Sequence, residues 1–412
     1  MSEIIITEKT LAKPAATPAS LELPAIAWRG LFKDYLDMVA PTTEATDAFH
    51  YAAFLQVFGC TLGRRLHVYH AGRQFPNFYT CLIGRSGASR KDTSFKPGRD
   101  MLERLHAFSC LEGNPPFKIT WGIRSYEGLL DELSGERKVR LIQLTELLSL
   151  FAKAGQQKLG NIIPELTGLY DCPDLINPPV HQKDVAPAQE PFLSIMALTT
   201  QDWLQRALTE QDIYGGFANR WCYFTGRPKS PIADPPKADT GKRDEIVRQL
   251  NQVRGWADSV PDGEITKSDE ARALFKEYYN NNFYPRCQQP GLLPTLIERV
   301  QNFVWKIALL YAAETMSEVI SRDHLEAAIA VGNYLEASVA QVFASFGESK
   351  GKQVETRVYD YLRCSGVPVP YRDIYHSLRL SGKELEMAVE PLIKVGLIKN
   401  HYEGKKRLLE VY

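Results

Sequence analysis

The sequence predicts an α/β core of buried parallel strands, followed by a helical region and a small C-terminal winged helix. Apolar runs broken by glycine or polar residues occur at 78–84, 139–146 and 192–200 and alternate with helical segments, which is typical of parallel strands buried on both faces. Residues 268–346 have helical periodicity. Residues 355–412 read as three helices followed by two short alternating strands, the order of a winged helix.

Length and composition divide the chain into modules. Its 412 residues are too many for one ordinary hydrophobic core. A change to Pro, Lys and Asp after Gly226 marks a boundary near Pro231. We expect a disordered tail (1–22), an N-terminal helical layer (23–74), the α/β core (75–230), a linker and helix (231–262), a helical lid (263–346), a second linker (347–353) and the winged helix (354–412).

Composition excludes several classes of protein. Lys plus Arg equals Asp plus Glu at 49 each, so contact with nucleic acid has to be local. Seven scattered cysteines without a CxxC pair favour neither a disulfide framework nor a zinc site, and indicate a reducing, cytoplasmic location. The first residues do not read as a signal peptide. The most apolar stretch, 303–313, contains Lys306 and is shorter than the roughly 20 residues that cross a bilayer, so we expect no membrane span.

The segment LIGRSGASRKDTS at 82–94 lies between a predicted strand and a predicted helix, where a P-loop binds phosphate. Gly84 and Gly87 let backbone amides approach phosphate oxygens, Lys91 supplies a positive charge, and Thr93 offers a hydroxyl to Mg²⁺. The match to G-x-x-x-x-G-K-[ST] is incomplete, because Arg90 stands in the place of a glycine and Asp92 in the place of a hydroxyl. The alternative is a solvated Gly/Ser-rich surface turn.

Three later features occur in the order expected of an ATPase. Glu146 follows the strand at 139–144, where a carboxylate polarises the attacking water, although Thr145 replaces the usual preceding Asp. Thr199 and Thr200 end the next apolar run and are candidates for a γ-phosphate sensor. Arg220 follows a Gly-rich segment and is a candidate arginine finger toward a neighbouring subunit. Taken singly, these residues also read as a helix start, a strand-end cap and an arginine paired with an acid.

These motifs, GRSGASRKDTS, LIQLTE, LYDCP, MALTTQDWL and GGFANRW, resemble a family of P-loop ATPases encoded by phages and integrated mobile elements. That family is similar to the helicase part of primase-helicases and of plasmid replication proteins, and the resemblance covers about residues 24–340. It implies an AAA+/RecA-like fold and an RKGTS-like form of the phosphate loop. The residues it assigns are Arg90, Lys91, Thr93 and Ser94 for ATP and Mg²⁺, Glu146 for water activation, Thr200 as sensor, Arg220 as finger and Arg299 as second sensor.

The C-terminal segment contains a local excess of basic residues. From Lys350 to Tyr412 there are twelve Lys and Arg against eight Asp and Glu. The residues that would contact DNA phosphates are Lys383 on the predicted third helix and Lys405, Lys406 and Arg407 on the predicted wing. The third helix also exposes several glutamates, so a protein contact is the alternative for this module.

Together these features predict an ATP-dependent DNA helicase or translocase, or a replication-initiation ATPase, of a mobile genetic element. It would act on single- or double-stranded DNA with ATP and Mg²⁺ as a homo-oligomer such as a hexamer, with replication proteins as further partners. Asp92 and Thr145 leave an alternative open, a P-loop protein with weak or no turnover that serves as a DNA-binding regulator or replication scaffold.

Overall fold

The computed structural model describes residues 21–111, 118–123, 125–134, 139–147, 150–151, 162–177, 186–344, 346, 350–404 and 406–412. Contacts between residues divide the chain into two compact units, 1–342 and 343–412. The predicted tail lies almost entirely outside the described residues. The finer division of the first unit into layer, core, linker and lid stays a prediction.

Two helices precede the sheet of the first unit, α1 (Gly30–Val39) and α2 (Asp47–Leu62). Every residue of α2 after Asp47 is buried, because aromatic side chains surround it. The Phe54 ring stacks on Tyr35 of α1 at 4.8 Å between centroids. Gln56 Nε2 donates to the Ile195 carbonyl at 2.9 Å and to Thr80 Oγ1 at 2.8 Å. These hydrogen bonds hold α2 against the sheet and satisfy the buried Nε2 group of Gln56.

A short antiparallel pair of strands, β1 (Val68–Tyr69) and β2 (Arg73–Gln74), leads into the sheet region. From Tyr79 onward, strands and helices alternate along the chain. These elements are β3 (Tyr79–Ile83), α3 (Lys91–Leu111), β4 (Lys118–Trp121), α4 (Tyr126–Ser134), β5 (Val139–Leu144), α5 (Ile162–Tyr170), the antiparallel pair β6 (Leu175–Ile176) and β7 (Ala188–Gln189), β8 (Phe192–Thr199), α6 (Gln201–Ala207), α7 (Glu210–Tyr214) and β9 (Trp221–Thr225).

Five of these strands form one parallel sheet in the spatial order β4-β5-β8-β3-β9. Every residue of β3 and β8 is buried, as expected for parallel strands covered on both faces. The three strands predicted from the apolar runs are present, and β4 and β9 are two further strands of the same sheet. Because β8 lies between β5 and β3, the carboxyl ends of these three strands are adjacent.

The rest of the first unit is mainly helical. Side-chain caps begin several of its helices: Ser268 Oγ accepts from the Ala271 amide at 3.1 Å, and Ser321 Oγ accepts from the His324 amide at 3.3 Å, as predicted for Ser321. Two short strands, β10 (Thr266–Lys267) and β11 (Val319–Ile320), form a parallel pair between connecting segments. The elements are α8 (Thr240–Ala257), β10 (Thr266–Lys267), α9 (Asp269–Tyr278), a π-helical turn (Tyr279–Phe283), α10 (Tyr284–Cys287), α11 (Leu292–Ile297), α12 (Val300–Glu314), β11 (Val319–Ile320) and α13 (Arg322–Phe343).

Glu314, the last residue of α12, has a side chain that is only 3 % exposed, so its carboxyl group is buried. Burial raises its pKa to about 8, although Arg29 Nε at 3.6 Å opposes this shift. The folded chain therefore holds a proton that the unfolded chain releases between about pH 4.5 and pH 8. Stability from this group falls as pH rises through that window.

We expect Glu314→Gln to stabilise the chain at alkaline pH, because it removes the cost of ionising a buried carboxyl group. The gain over wild type should be on the order of 2 kcal/mol at pH 9 and close to zero near pH 4.5. Urea unfolding of both proteins at the two pH values measures this difference. Glu318→Gln, at an exposed position four residues later, is the control. A difference that does not change with pH contradicts the prediction.

The second unit contains three helices and a three-stranded antiparallel sheet, in which β14 (Lys406–Val411) lies between β12 (Val369–Pro370) and β13 (Ile398–Glu403). A core that includes Val358, Ile374, Leu385 and Leu409 joins helices to sheet. The predicted capping box is present: Ser381 Oγ accepts from the Glu384 amide, and Glu384 Oε2 accepts from the Ser381 amide. The elements are α14 (Lys350–Ser365), β12 (Val369–Pro370), α15 (Tyr371–Leu378), α16 (Gly382–Lys394), β13 (Ile398–Glu403) and β14 (Lys406–Val411).

Residues 350–353 of the linker predicted at 347–353 belong to α14, and residues 347–349 lie outside the described residues. The Gly and Lys composition of this segment concealed the first turn of the helix. Among the helices in the described part of the chain, none combines the length and apolar character that a bilayer crossing requires.

Candidate functional site

The loop between β3 and α3 covers residues 84–90 and ends at the amino terminus of a long helix, where free backbone amides favour an anion. A Cβ atom at Gly84 would lie 2.7 Å from Ser89 Cβ, so this position has room only for glycine. Gly87 has φ +72°, a left-handed conformation that glycine adopts without strain. Both glycines that the sequence singled out are therefore required by the shape of the loop.

Arg90 also has a left-handed backbone, with φ +52°. A glycine in the consensus loop adopts this conformation freely, whereas a residue with a Cβ loses on the order of 1 kcal/mol. Arg90 Nε donates to Glu44 Oε2 at 3.0 Å, and this ion pair holds the strained residue. Arg90 was predicted to bind nucleotide, but in the structure its guanidinium is bonded to Glu44 in the α1–α2 connection.

Lys91 is the first residue of α3, and its side chain folds back over the loop. Lys91 Nζ donates to the Gly84 carbonyl at 2.5 Å. Partial burial lowers the pKa of Lys91, and the nearby carboxylate of Glu146 counteracts this shift. The ammonium group thus lies across the loop, within electrostatic reach of Glu146.

Glu146 and Thr199 meet at the carboxyl ends of neighbouring strands. Glu146 lies two residues beyond β5, and Thr199 is the last residue of β8. Thr199 Oγ1 donates to Glu146 Oε1 at 2.8 Å. This hydrogen bond orients the carboxylate beside the loop that carries Lys91. The sheet therefore brings together a cation, a carboxylate and a hydroxyl from three adjacent strand ends.

Thr200 was predicted as the sensor, but the structure places its hydroxyl elsewhere. Thr200 Oγ1 accepts from the Trp203 amide at 3.3 Å and so caps α6. Its neighbour Thr199 supplies the hydroxyl next to Glu146, because successive residues at a strand end point in different directions. Thr145, which precedes Glu146, is exposed.

Thr93 and Ser94, the other predicted ligands on α3, differ in environment. Thr93 is exposed, and about 200° of helical rotation separates it from Lys91. Ser94 is fully buried, and its hydroxyl donates to the Lys91 carbonyl at 2.6 Å. The Ser94 hydroxyl is thus bonded to the backbone of its own helix, and its role in cofactor binding stays a prediction. Asp92 is exposed in the first helical turn, where the helix dipole favours a negative charge.

Arg220 and Arg299 lie at the opposite end of the sheet from the loop. Arg220 immediately precedes β9, whose first residue is level with the first residue of β3. A five-residue strand, roughly 17 Å long, therefore separates Arg220 from Gly84. Arg220 is 7 % exposed, and its Nη2 donates to Asp171 Oδ2 at 3.1 Å. Arg299 Nη1 donates to the other oxygen of the same carboxylate at 3.3 Å.

Of the predicted DNA-contacting residues of the second unit, Arg407 is bonded to other residues of the same unit. Arg407 Nη1 donates to Glu386 Oε2 of α16 at 2.7 Å, and its guanidinium lies over the Tyr371 ring. Lys383 and Lys406 are exposed. Lys405 lies outside the described residues.

Sequence reasoning missed the grouping around Asp171 and the buried ammonium of Lys306. The signal for Lys306 was its position inside the apolar run of α12, where a lysine is unusual. No pattern in the sequence indicated that Asp171 would bond to two arginines that are 79 positions apart, since this requires the folded arrangement of α5, β9 and α12.

No family model matches the chain, and no similar sequence is found among curated proteins. Among solved structures, the chain is similar to a full-length MCM homolog from Methanopyrus kandleri, with 12% sequence identity and a TM-score of 0.40. The match covers 79% of this chain and 63% of that chain, so this chain spans less than two thirds of its length. The five-stranded parallel sheet with its helices fits an α/β P-loop core.

Proposed function

We propose that the chain is a cytoplasmic ATPase that acts on DNA as an oligomer, as a helicase, a translocase or a replication-initiation ATPase of a mobile genetic element. One observation carries the ATPase proposal: Lys91, Glu146 and Thr199 converge at the carboxyl ends of three adjacent parallel strands. Lys91 would neutralise the outer phosphates of ATP, and Glu146 would polarise the attacking water.

In this proposal, the backbone of residues 84–90 and the amino terminus of α3 hold the phosphates. Mg²⁺, when bound, would screen phosphate charge and orient the outer phosphate. Thr93 would be its ligand on α3 only with its side chain turned toward the loop, because it lies about 200° around the helix from Lys91. Asp92 would meet the same ion, since a carboxylate near phosphate needs a cation between them. The hydrogen bond from Thr199 keeps the Glu146 carboxylate in position for water.

The position of Arg220 supports an oligomer in this proposal. Arg220 lies at the far end of the sheet from its own loop, so it can reach a bound phosphate only in a second copy of the chain. Arg299 would join it as second sensor. Both arginines would have to leave Asp171 and bond to phosphate instead. This exchange would make ATP hydrolysis depend on contact with a neighbouring subunit.

We propose a winged helix for the second unit, with DNA phosphates bound by Lys383, Lys405, Lys406 and Arg407. The helix order and the antiparallel sheet support this assignment. The alternative is recruitment of a replication protein, which the exposed Met387 and Tyr402 side chains favour. Removing residues 347–412 distinguishes them: lost DNA affinity supports DNA binding by this unit, and unchanged affinity favours a protein partner.

The test of the proposal is Mg²⁺-dependent ATP hydrolysis by the full chain, with and without single- and double-stranded DNA. Hydrolysis stimulated by DNA supports the motor. A mixture of Lys91→Ala and Arg220→Ala chains should recover part of the activity, because one chain retains the loop and the other the finger. Nucleotide binding without hydrolysis would instead favour the regulator or scaffold, with Asp92 and the exposed Thr145 as its causes.

Two adjacent threonines give a matched comparison. Thr199→Val should lower turnover by about fivefold, because a hydrogen bond worth about 1 kcal/mol no longer orients Glu146. Thr200→Val should leave turnover nearly unchanged and destabilise the chain by about 1 kcal/mol, because it removes a helix cap. Steady-state hydrolysis and urea unfolding of both variants measure these effects. The reverse ranking in turnover would restore Thr200 as the sensor.

A further inference from the structure

A cavity of about 820 Å³ opens at the amino ends of the sheet strands, the end opposite the phosphate loop. Its walls come from the β1–β2 turn, the end of α5, α9 with the following π-helical turn, and the start of α12. This volume lies in the range of small-molecule binding sites. The cavity belongs entirely to the first unit and shares no lining residue with the loop at 84–90.

Lys306 is the most unusual residue in this cavity. It lies in the middle of α12 and is only 2 % exposed. Its ammonium donates to the Asn77 carbonyl at 3.0 Å and to Asn77 Oδ1 at 2.8 Å, and it lies 4.1 Å from the centre of the Tyr170 ring. All three partners are neutral, and in the described part of the chain Lys306 makes no ion pair.

A buried cation without an ion-pair partner is costly. Burial lowers the pKa of Lys306 to about 8, although Cys172 and the Asp171 carboxylate oppose this shift. Asp171 is the single acid among the described residues that line the cavity, and Arg220 and Arg299 already occupy it. A methionine would fill this place in an apolar helix without the electrostatic cost. The charge is therefore best explained by an anionic ligand.

The wall around Lys306 contains a second feature of a binding site. Tyr170 is 1 % exposed, and its hydroxyl has no hydrogen-bond partner in the described structure. A buried hydroxyl normally has a partner, so this one lacks a hydrogen bond that a ligand oxygen would supply. Arg299 lines the same cavity with a guanidinium that is partly exposed. Asp171 is shared by Arg220 and Arg299, so these two arginines and Lys306 place three positive charges beside one negative charge. A phosphate group near Lys306 and Arg299 would balance the excess.

Another part of the cavity wall is aromatic. The Phe275 and Tyr279 rings are 6.0 Å apart and inclined by 28°, and neither ring is fully buried. Aromatic faces beside a basic site bind nucleobases by stacking. The Gln301 and Asn302 amides, which also line the cavity, can donate to and accept from the edge of a base.

We propose that this cavity binds a nucleotide unit, with its phosphate on Lys306 and Arg299 and its base against Phe275 and Tyr279. The unit is either a free mononucleotide or one residue of a single strand, since both present the same phosphate and base. This site is separate from the phosphate loop, so the proposal does not require ATP turnover.

The experiment uses the full chain with Lys91→Ala, which removes the charge of the phosphate loop. Binding of fluorescent AMP and of labelled oligo(dT) is measured by anisotropy, and Lys306→Met is then added. We expect the affinity for at least one probe to fall tenfold or more. The probe that is affected identifies the source of the nucleotide. Lys267→Met, a neighbouring partly buried lysine outside the cavity lining, is the control and should retain binding.

Two results would overturn the proposal: neither probe binds the Lys91→Ala chain, or Lys306→Met binds as tightly as its parent. Tyr279→Ala provides an independent test if Lys306→Met does not fold, because it removes stacking at the aromatic part of the wall. Unchanged affinity in Tyr279→Ala would then contradict the proposed orientation and the site. A wild-type chain that does not hydrolyse ATP would contradict the ATPase proposal but not the proposed cavity site, since the binding assay does not depend on hydrolysis.

Discussion

Lys91→Ala is expected to weaken MgATP binding by roughly 100-fold and to abolish hydrolysis. The ammonium lies half-buried over the loop, where its attraction to phosphate is less screened than at the surface. A charged hydrogen bond in such a place contributes about 1.5–3 kcal/mol, and the charge is also needed in the transition state.

Titration calorimetry with MgATP measures the affinity, and phosphate release measures the turnover. Lys96→Ala is the matched control, because Lys96 is exposed on the same helix. Equal loss in both variants would point to general destabilisation of α3. Unchanged affinity in Lys91→Ala would remove the loop at 84–90 from the nucleotide site and support the surface-turn interpretation.

Glu146→Gln is expected to lower turnover by at least 100-fold while MgATP still binds. The amide cannot take a proton from water, and general-base catalysis contributes about 10²–10⁴-fold. The Gln oxygen can still accept from Thr199 Oγ1, so the local structure should persist. The variant would therefore hold ATP without hydrolysing it.

Single-turnover hydrolysis together with equilibrium binding separates these two effects. Glu277→Gln, at an exposed position on α9, is the control. A Glu146→Gln chain with wild-type turnover would exclude Glu146 as the base. Equal losses of binding and turnover would indicate a structural role for the carboxylate.

The strands that the sequence predicted are those with long apolar runs. β3, β5 and β8 are central and buried, so hydrophobicity alone identifies them. β4 was missed because it has four residues, at the edge of the sheet, and ends in the exposed Trp121. β9 was missed because it directly follows a Gly-rich segment that reads as a loop.

The site residues also divide into those that the sequence predicts and those that only the structure identifies. The loop, Lys91 and Glu146 could be predicted because each follows a recognisable strand, and the carboxyl ends of parallel strands are common sites of chemistry. The choice between Thr199 and Thr200 could not be made, because the two neighbours differ only in direction. One completes β8 and bonds to Glu146, whereas the other caps α6.

The sequence by itself determined the parallel α/β core, the phosphate-loop candidate, the helical region after it and the separate C-terminal unit. These depend on local periodicity, glycine placement and capping, which are properties of neighbouring residues. Only the tertiary structure decided the strand order, the union of Lys91, Glu146 and Thr199, and the position of Arg220 and Arg299 on Asp171 at the other end of the sheet. Such contacts join residues far apart in the chain, and their geometry follows from how the strands and helices pack.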